Sequence, residues 1–264
     1  MQDLKGKNIL VTGGGGVGVG AGVCQALSAA GANVIINELE LEVAVEATKK
    51  YPGSVAVGAD ISKQEEVERM FTELKERVGV VHGLVNNAGV GLTKFAHTAT
   101  EEEFDKLYSI DIRGVWLMSR AFVNALLETG ESGNIVNISS LLARSPMHYY
   151  GIYSSAKAAV EGLTRGMAIE LGRKNFRINA VAPGYVHAEQ NYDLLKVLAN
   201  DTHKWVEEFK ENQQALPYDV APIDCGNVVA FLLSDLSRSV TGQTILVDAG
   251  ATALLFKSTE TKLD

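Results

Sequence analysis

Cysteine is scarce in this chain. Cys24 and Cys225 are the only two, they lie far apart, and neither belongs to a CxxC or Cys/His ligand spacing. That pattern argues against a disulfide framework and a metal centre, and two free thiols in a reducing compartment are expected. Blocks of cationic charge are missing as well: 24 Lys and Arg stand against 32 Asp and Glu, for a net charge of -8. Recognition of a phosphate backbone needs clustered cations, so no nucleic-acid partner is expected. The opening MQDLKGKNIL carries charges where a secretory segment needs an apolar run, which makes the cytoplasm the expected location. Residues 8–37 contain no charge and by length alone could suggest a membrane span. Eight glycines and several polar residues interrupt the stretch; a strand, a glycine turn, a helix and a second strand describe it better, and no membrane partner is expected. Internal repeats and low-complexity linkers are also missing, so residues 1–264 are expected to form a single domain.

What is present is alternation. Short runs rich in Val and Ile recur at 8–11, 33–37, 54–57, 83–86, 134–139, 177–181 and 244–247. They are nearly continuous in apolar residues, as strands become when both faces of a parallel sheet are covered. Segments of helical period lie between them at 18–30, 41–51, 63–78, 101–127, 154–173 and 224–234. The expected fold class is therefore α/β, a single doubly wound Rossmann domain with a seven-stranded, mostly parallel sheet, and its ligand site lies beyond the carboxyl ends of the strands. Residues 188–218 break the alternation with a charged, amphipathic stretch holding Trp205, Phe209 and Pro217. An insertion of this length in a compact domain reads as a lid or binding element. Residues 251–264 extend past the last strand, to cover a neighbouring subunit or to fray.

The chemistry-bearing residues fall at strand ends. In ILVTGGGGVGVGAG, glycines follow a strand and precede a helix, where backbone can approach a pyrophosphate and helix-start amides face negative charge. Gly13, Gly15 and Gly18 satisfy GxGxxG, although several registers fit so glycine-rich a tract. Glu38 closes the second strand, placed to accept hydrogen bonds from ribose hydroxyls and to repel a 2′-phosphate. No Arg or Lys lies between residues 8 and 48 to rescue such a phosphate, so the expected cofactor is NAD. Asp60 and Asn86-Asn87-Ala88-Gly89 end the third and fourth strands, where small and amide-bearing residues suit adenine and ribose or ordinary turns. Tyr153 and Lys157 are four apart on a predicted helix and share a face, with Ser140 upstream at the end of a strand. A free phenol near pKa ~10 is a poor base at neutral pH. An ammonium ~4 Å away at an effective dielectric near ~20 favours the phenolate by about 4 kcal/mol. On the same helix Ala156, Val160, Leu163, Met167 and Leu171 form an apolar stripe directed at the core or at another subunit.

Taken in order, VTGGGGVGVG, Asp60, NNAG at 86–89, NIVNISS at 134–140, YSSAK at 153–157, INAVAPG at 178–184 and TGQTILVDAG at 241–250 resemble the short-chain dehydrogenase/reductase family over nearly the whole chain. The resemblance implies Tyr153 as general acid/base, Lys157 as binder of the nicotinamide ribose and activator of the phenol, and Ser140 as holder of the substrate oxygen. It implies a cofactor bed of Gly13, Val17, Gly18, Val19, Glu38, Asp60, Ile61, Asn87, Ala88 and Gly89, completed at the nicotinamide end by Tyr153, Lys157, Pro183, Gly184 and Val186. It further implies a homo-oligomer, dimer or tetramer, built on the helix carrying Tyr153. Three departures stand out. The tract reads TGxxxxGxG, one residue longer than the family's TGxxxGxG; Asp111 in DIRG takes the place of an Asn in a proton relay; Ala188 takes the place of a Thr near the carboxamide. An ionised Asp111 near Lys157 would partly cancel its charge.

Leu141, Leu142, His148, Tyr149, Tyr150, His187 and the 188–218 segment flank these groups, with Leu142, Tyr150 and His187 as the candidate substrate contacts. The leading expectation is an NAD-dependent enzyme interconverting a small-molecule secondary alcohol and its ketone. Two alternatives are an NADPH-dependent 3-oxoacyl-thioester reductase, which Glu38 disfavours, and a nucleotide-binding regulator without turnover.

Overall fold

The structure is a computed structural model that describes residues 3–187, 196 and 199–254. Seven strands, β1 (Asn8–Thr12), β2 (Asn33–Glu38), β3 (Val55–Gly58), β4 (Gly83–Asn86), β5 (Asn134–Ile138), β6 (Arg177–Pro183) and β7 (Thr244–Val247), form one sheet in the order β3-β2-β1-β4-β5-β6-β7. Every pairing is parallel, in keeping with the mostly parallel sheet expected. The reason is connectivity: each strand is joined to the next in sequence by a helical crossover that carries the chain back across a face.

Successive strand residues point to opposite faces, and both faces are dry. Ile9 and Val11 join the core beneath α1 (Val19–Ala29) and α8 (Pro222–Leu233), while Leu10 and Ile35 join the core beneath α3 (Gln64–Arg77), α5 (Val115–Thr129) and α6 (Gly151–Leu171). The chain also forms α2 (Leu41–Thr48), α4 (Glu101–Tyr108) and α7 (Thr202–Gln213). On α6 the apolar stripe turns inward, with Leu163, Met167 and Leu171 in the second core. No described helix is long and apolar enough to cross a membrane.

Two details position the site. At Gly22 an added Cβ would lie 2.1 Å from the Pro222 carbonyl, so glycine there lets α1 and α8 touch backbone to backbone and sets where the glycine loop begins. The segment 101–127, expected as one helix, is instead α4 and α5 joined by a π-helical turn over Ser109–Gly114. A wide turn of this kind interrupts the helical ladder, a device often found at functional sites. Here it carries Asp111, whose side chain is fully buried and ion-paired.

Candidate active site

Between β1 and β4 the order of strands reverses, and the connections leaving their carboxyl ends part to opposite faces of the sheet. A cleft of about 870 Å³ opens there, lined at one end by the glycine loop, Glu38, Asp60 and Ile61 and at the other by Ser140, Tyr153 and Lys157. The loop is braced from below. Thr12 Oγ1 accepts the Asn87 and Ala88 backbone N–H groups, both at 3.0 Å, and Asn87 Nδ2 donates to the Thr12 and Gly13 carbonyls, both at 2.9 Å. Gly13 sits at φ +66°, and a Cβ there would lie 2.9 Å from Ala88 Cα. At Gly20 a Cβ would lie 2.1 Å from the Gly13 carbonyl oxygen. These are positions where only glycine fits. Gly18 forms the N-cap of α1, and earlier in the tract Gly15 N–H donates to Glu38 Oε1 at 2.7 Å. Gly13, Gly18 and Val19 line the cleft, whereas Val17 is 50% exposed and lies outside the lining.

Asp60 Oδ1 accepts the Ser62 backbone N–H at 2.9 Å and its hydroxyl at 2.6 Å. Burial opposes ionisation of Asp60, but the Ser62 hydrogen bonds and the Lys63 ammonium outweigh it and hold its carboxyl below the usual range. Ile61 is buried against Gly114 of the π-helical turn, where a Cβ would come within 2.9 Å of its side chain.

At the other end, Lys157 is buried with Nζ 5.5 Å from the centre of the Tyr153 ring. Nζ also donates to the Ile138 carbonyl at 3.4 Å and lies 2.9 Å from Asp111 Oδ2. The last approach is charge to charge rather than an aligned hydrogen bond. Asp111 Oδ1 accepts the Val90 N–H at 2.8 Å, and Gly89 leaves room for the pair, since a Cβ there would lie 2.9 Å from Oδ2. Burial pushes the Lys157 ammonium down, but the opposing charges of Tyr153 and Asp111 prevail and hold it above the usual lysine range. The cation therefore persists in a dry site. Ser140 Oγ accepts the Leu142 N–H at 3.2 Å, starting a short 3-10 turn that turns Leu141 and Leu142 into the cleft.

A family model described as Enoyl-(Acyl carrier protein) reductase matches residues 15–252. The chain is 35% identical over 260 residues to a short-chain dehydrogenase/reductase of Pestalotiopsis microspora, covering 94% of this chain and 96% of that protein. It belongs to the short-chain dehydrogenase/reductase family. Identity is also 35% over 253 residues to levodione reductase of Leifsonia aquatica, covering 93% and 94% of the two chains. With 2-(S)-hydroxypropyl-CoM dehydrogenase 3 of Xanthobacter autotrophicus it is 32% over 255 residues, covering 95% and 98%. Like these relatives, the protein is an oxidoreductase by family.

In this short-chain dehydrogenase/reductase the helix carrying Tyr153 is held by a buried polar ladder whose members pattern reading did not connect. Asn86 Nδ2 donates to Ser119 Oγ at 3.0 Å and to Asn137 Oδ1 at 2.8 Å, and Asn137 Nδ2 donates to Thr164 Oγ1 at 2.9 Å. The ladder pins α5, β4, β5 and α6 together, and its only sequence trace is polar residues inside apolar runs. Pro183, Gly184, Val186 and Tyr150 line the cleft, and Tyr150 stands edge-on to Tyr153 at 6.1 Å. His148 is exposed, Tyr149 packs on Phe95 at 4.4 Å, and His187 Nε2 lies 3.3 Å from Asp219 Oδ1; none of these three lines the cleft. Ala188, most of 189–198 and residues 255–264 lie outside the described residues. The later part of the insertion forms α7, which presents Trp205 and Phe209 to the cleft.

Proposed function

We propose that this protein is an NAD-dependent dehydrogenase that interconverts a secondary alcohol and its ketone, with Tyr153 as the general acid/base. The observation that carries the reading is that Ser140, Tyr153 and Lys157 line the same cleft as the glycine loop, with a buried ammonium 5.5 Å from the phenol ring. The cradle fits a dinucleotide: glycines at 13 and 20 have backbone or side-chain atoms within 3 Å of where a Cβ would stand, and a carboxylate ends β2. Gly13, Gly18, Val19, Glu38, Asp60, Ile61, Ala88 and Gly89 would hold the adenosine and pyrophosphate, and Pro183, Gly184 and Val186 the nicotinamide end. When bound, the nicotinamide accepts or gives the hydride.

In the oxidising direction Tyr153 takes the hydroxyl proton, and in the reducing direction it returns one to the ketone oxygen. The Ser140 hydroxyl holds that oxygen. Lys157 favours the phenolate by about 3 kcal/mol at an effective dielectric near ~20, somewhat less than the closer approach expected from sequence. The NAD reading rests on Glu38 together with its cleft neighbours Asn37, Leu39, Asp60, Ile61 and Ser62, which include no cation. Two relatives are named as a reductase of levodione and a dehydrogenase of 2-(S)-hydroxypropyl-CoM, names that support the same reaction class.

Replacing Tyr153 with Phe tests the assignment. Turnover of every ketone and alcohol that the wild type uses should fall by at least about a hundredfold, while NADH binding, followed by nicotinamide fluorescence, stays near the wild-type value. Retained turnover would reject Tyr153 as the base.

A further inference from the structure

The substrate end of the cleft has an aromatic wall. Trp205 and Phe209, one turn apart on α7, stack with ring centres 5.2 Å apart at 17°. Tyr185, just past β6, meets Trp205 nearly edge-on at 5.7 Å and lies 6.0 Å from Phe209. All three line the cleft, together with Leu142, Met147 and Tyr150. The wall is anchored: Lys210 Nζ on α7 donates to Asp219 Oδ1 at 2.9 Å, and the same oxygen lies 3.3 Å from His187 Nε2. Charge is missing from this end. No lining residue described within 138–153 or 183–209 is ionisable as a cation or carboxylate, and the Lys157 ammonium is already matched by Asp111.

Fixed aromatic faces and edges select flat or ring-shaped apolar surface, because ring pairs gain attraction beyond the area they bury. A rigid ring also loses less conformational freedom on binding than an open chain of equal size. An anionic substrate would meet no cation among the described lining residues of these two segments; outside the Lys157–Asp111 pair, the one described lining cation is the exposed Lys106 of α4. We propose that the substrate is an uncharged ketone or alcohol whose reacting carbon lies in, or directly beside, a carbocyclic or aryl ring, and that Trp205 and Phe209 are the specificity-determining residues that hold this ring. The inference rests on the alcohol/ketone reading above and adds the substrate class to it.

The test uses three ketones with NADH and NADPH: 2-tetralone as the ring probe, 2-butanone as the open-chain probe and 4-oxopentanoate as the charged probe. The readout is the ratio of kcat/KM for 2-tetralone to that for 2-butanone, measured in the wild type and in Trp205→Ala, Phe209→Ala and Trp205→Phe. Comparing ratios cancels both the intrinsic reactivity of each ketone and any loss of folded enzyme. Each alanine variant should lower the ratio by roughly tenfold to a hundredfold, and Trp205→Phe should restore most of it. A ratio unmoved in both alanine variants, or a wild type that prefers 4-oxopentanoate, overturns the ring-binding inference while leaving the reaction class intact. A wild type that turns over none of the three with either cofactor overturns the proposed function itself.

Discussion

Asp111 stands where the family resemblance leads one to expect an Asn, and one substitution there should speak most clearly. Its buried Oδ2 lies 2.9 Å from Lys157 Nζ, which is 5.5 Å from the centre of the Tyr153 ring. The carboxylate oxygen is therefore no more than roughly 8.5 Å from that centre, and at an effective dielectric near ~20 its charge opposes a phenolate by about 2 kcal/mol or more. The sign follows directly: removing a negative charge favours the phenolate, so alcohol oxidation sets in at lower pH. Asp111→Asn is expected to move the acid limb of the kcat/KM profile for oxidation to lower pH. The assay is initial-rate nicotinamide absorbance across a pH series with one alcohol. A second effect accompanies the first. The Asn amide has one oxygen for two donors, the Val90 N–H and the Lys157 ammonium, so Lys157 loses part of its positioning and kcat falls at every pH. An acid limb that stays in place, or moves up, in a variant that melts like the wild type would refute the idea that this carboxylate works against the phenol.

Glu38 serves two purposes, which affects how it is tested. Glu38→Ala removes both its charge and the acceptor for Gly15 N–H, and should weaken NADH and NADPH alike; Glu38→Gln can keep the acceptor. Glu38→Gln is therefore expected to raise the ratio of NADPH to NADH affinity roughly fivefold, the equivalent of about 1 kcal/mol of exposed like-charge repulsion, in a fluorescence titration. An unmoved ratio would place cofactor choice elsewhere. His82 Nδ1 accepts the Asn8 N–H at 3.0 Å, and burial, aided by the Lys7 charge, holds its imidazole below the usual value of 6.5. The unfolded chain binds the proton more readily, so this contribution to stability is complete above about pH 6.5 and lost as pH falls through the folded-state value. Urea midpoints should fall with pH in that window for the wild type and less steeply for His82→Asn; parallel curves would show that His82 does not set the slope.

The strands were legible because a doubly covered sheet writes itself as short Val- and Ile-rich runs. All seven expected runs became strands of one sheet, and β1, β2, β3 and β6 end one or two residues beyond the apolar runs that announced them. Thr12, Glu38 and Gly58, which end β1, β2 and β3, carry no large apolar side chain and so leave no apolar mark. The helices were placed well where one face is apolar. The segment 101–127 was not, because a π-helical turn over Ser109–Gly114 shifts the ladder without changing composition.

What the sequence determined by itself is local: hydrophobic period, the glycines at a strand-to-helix turn, an acid at a strand end, and a tyrosine and lysine one helical turn apart. Those features name elements and candidate chemistry because each depends only on neighbours along the chain. The tertiary structure decided which distant groups meet. It brought Asp111 to Lys157, Gly15 to Glu38, and Asn86 to Ser119 and Asn137, and it turned Trp205 and Phe209 towards the cleft while leaving Val17, His148, Tyr149 and His187 outside its lining. Such meetings depend on how crossover connections stack strands and helices, and buried charge acquires its strength only when that stacking removes water from around it.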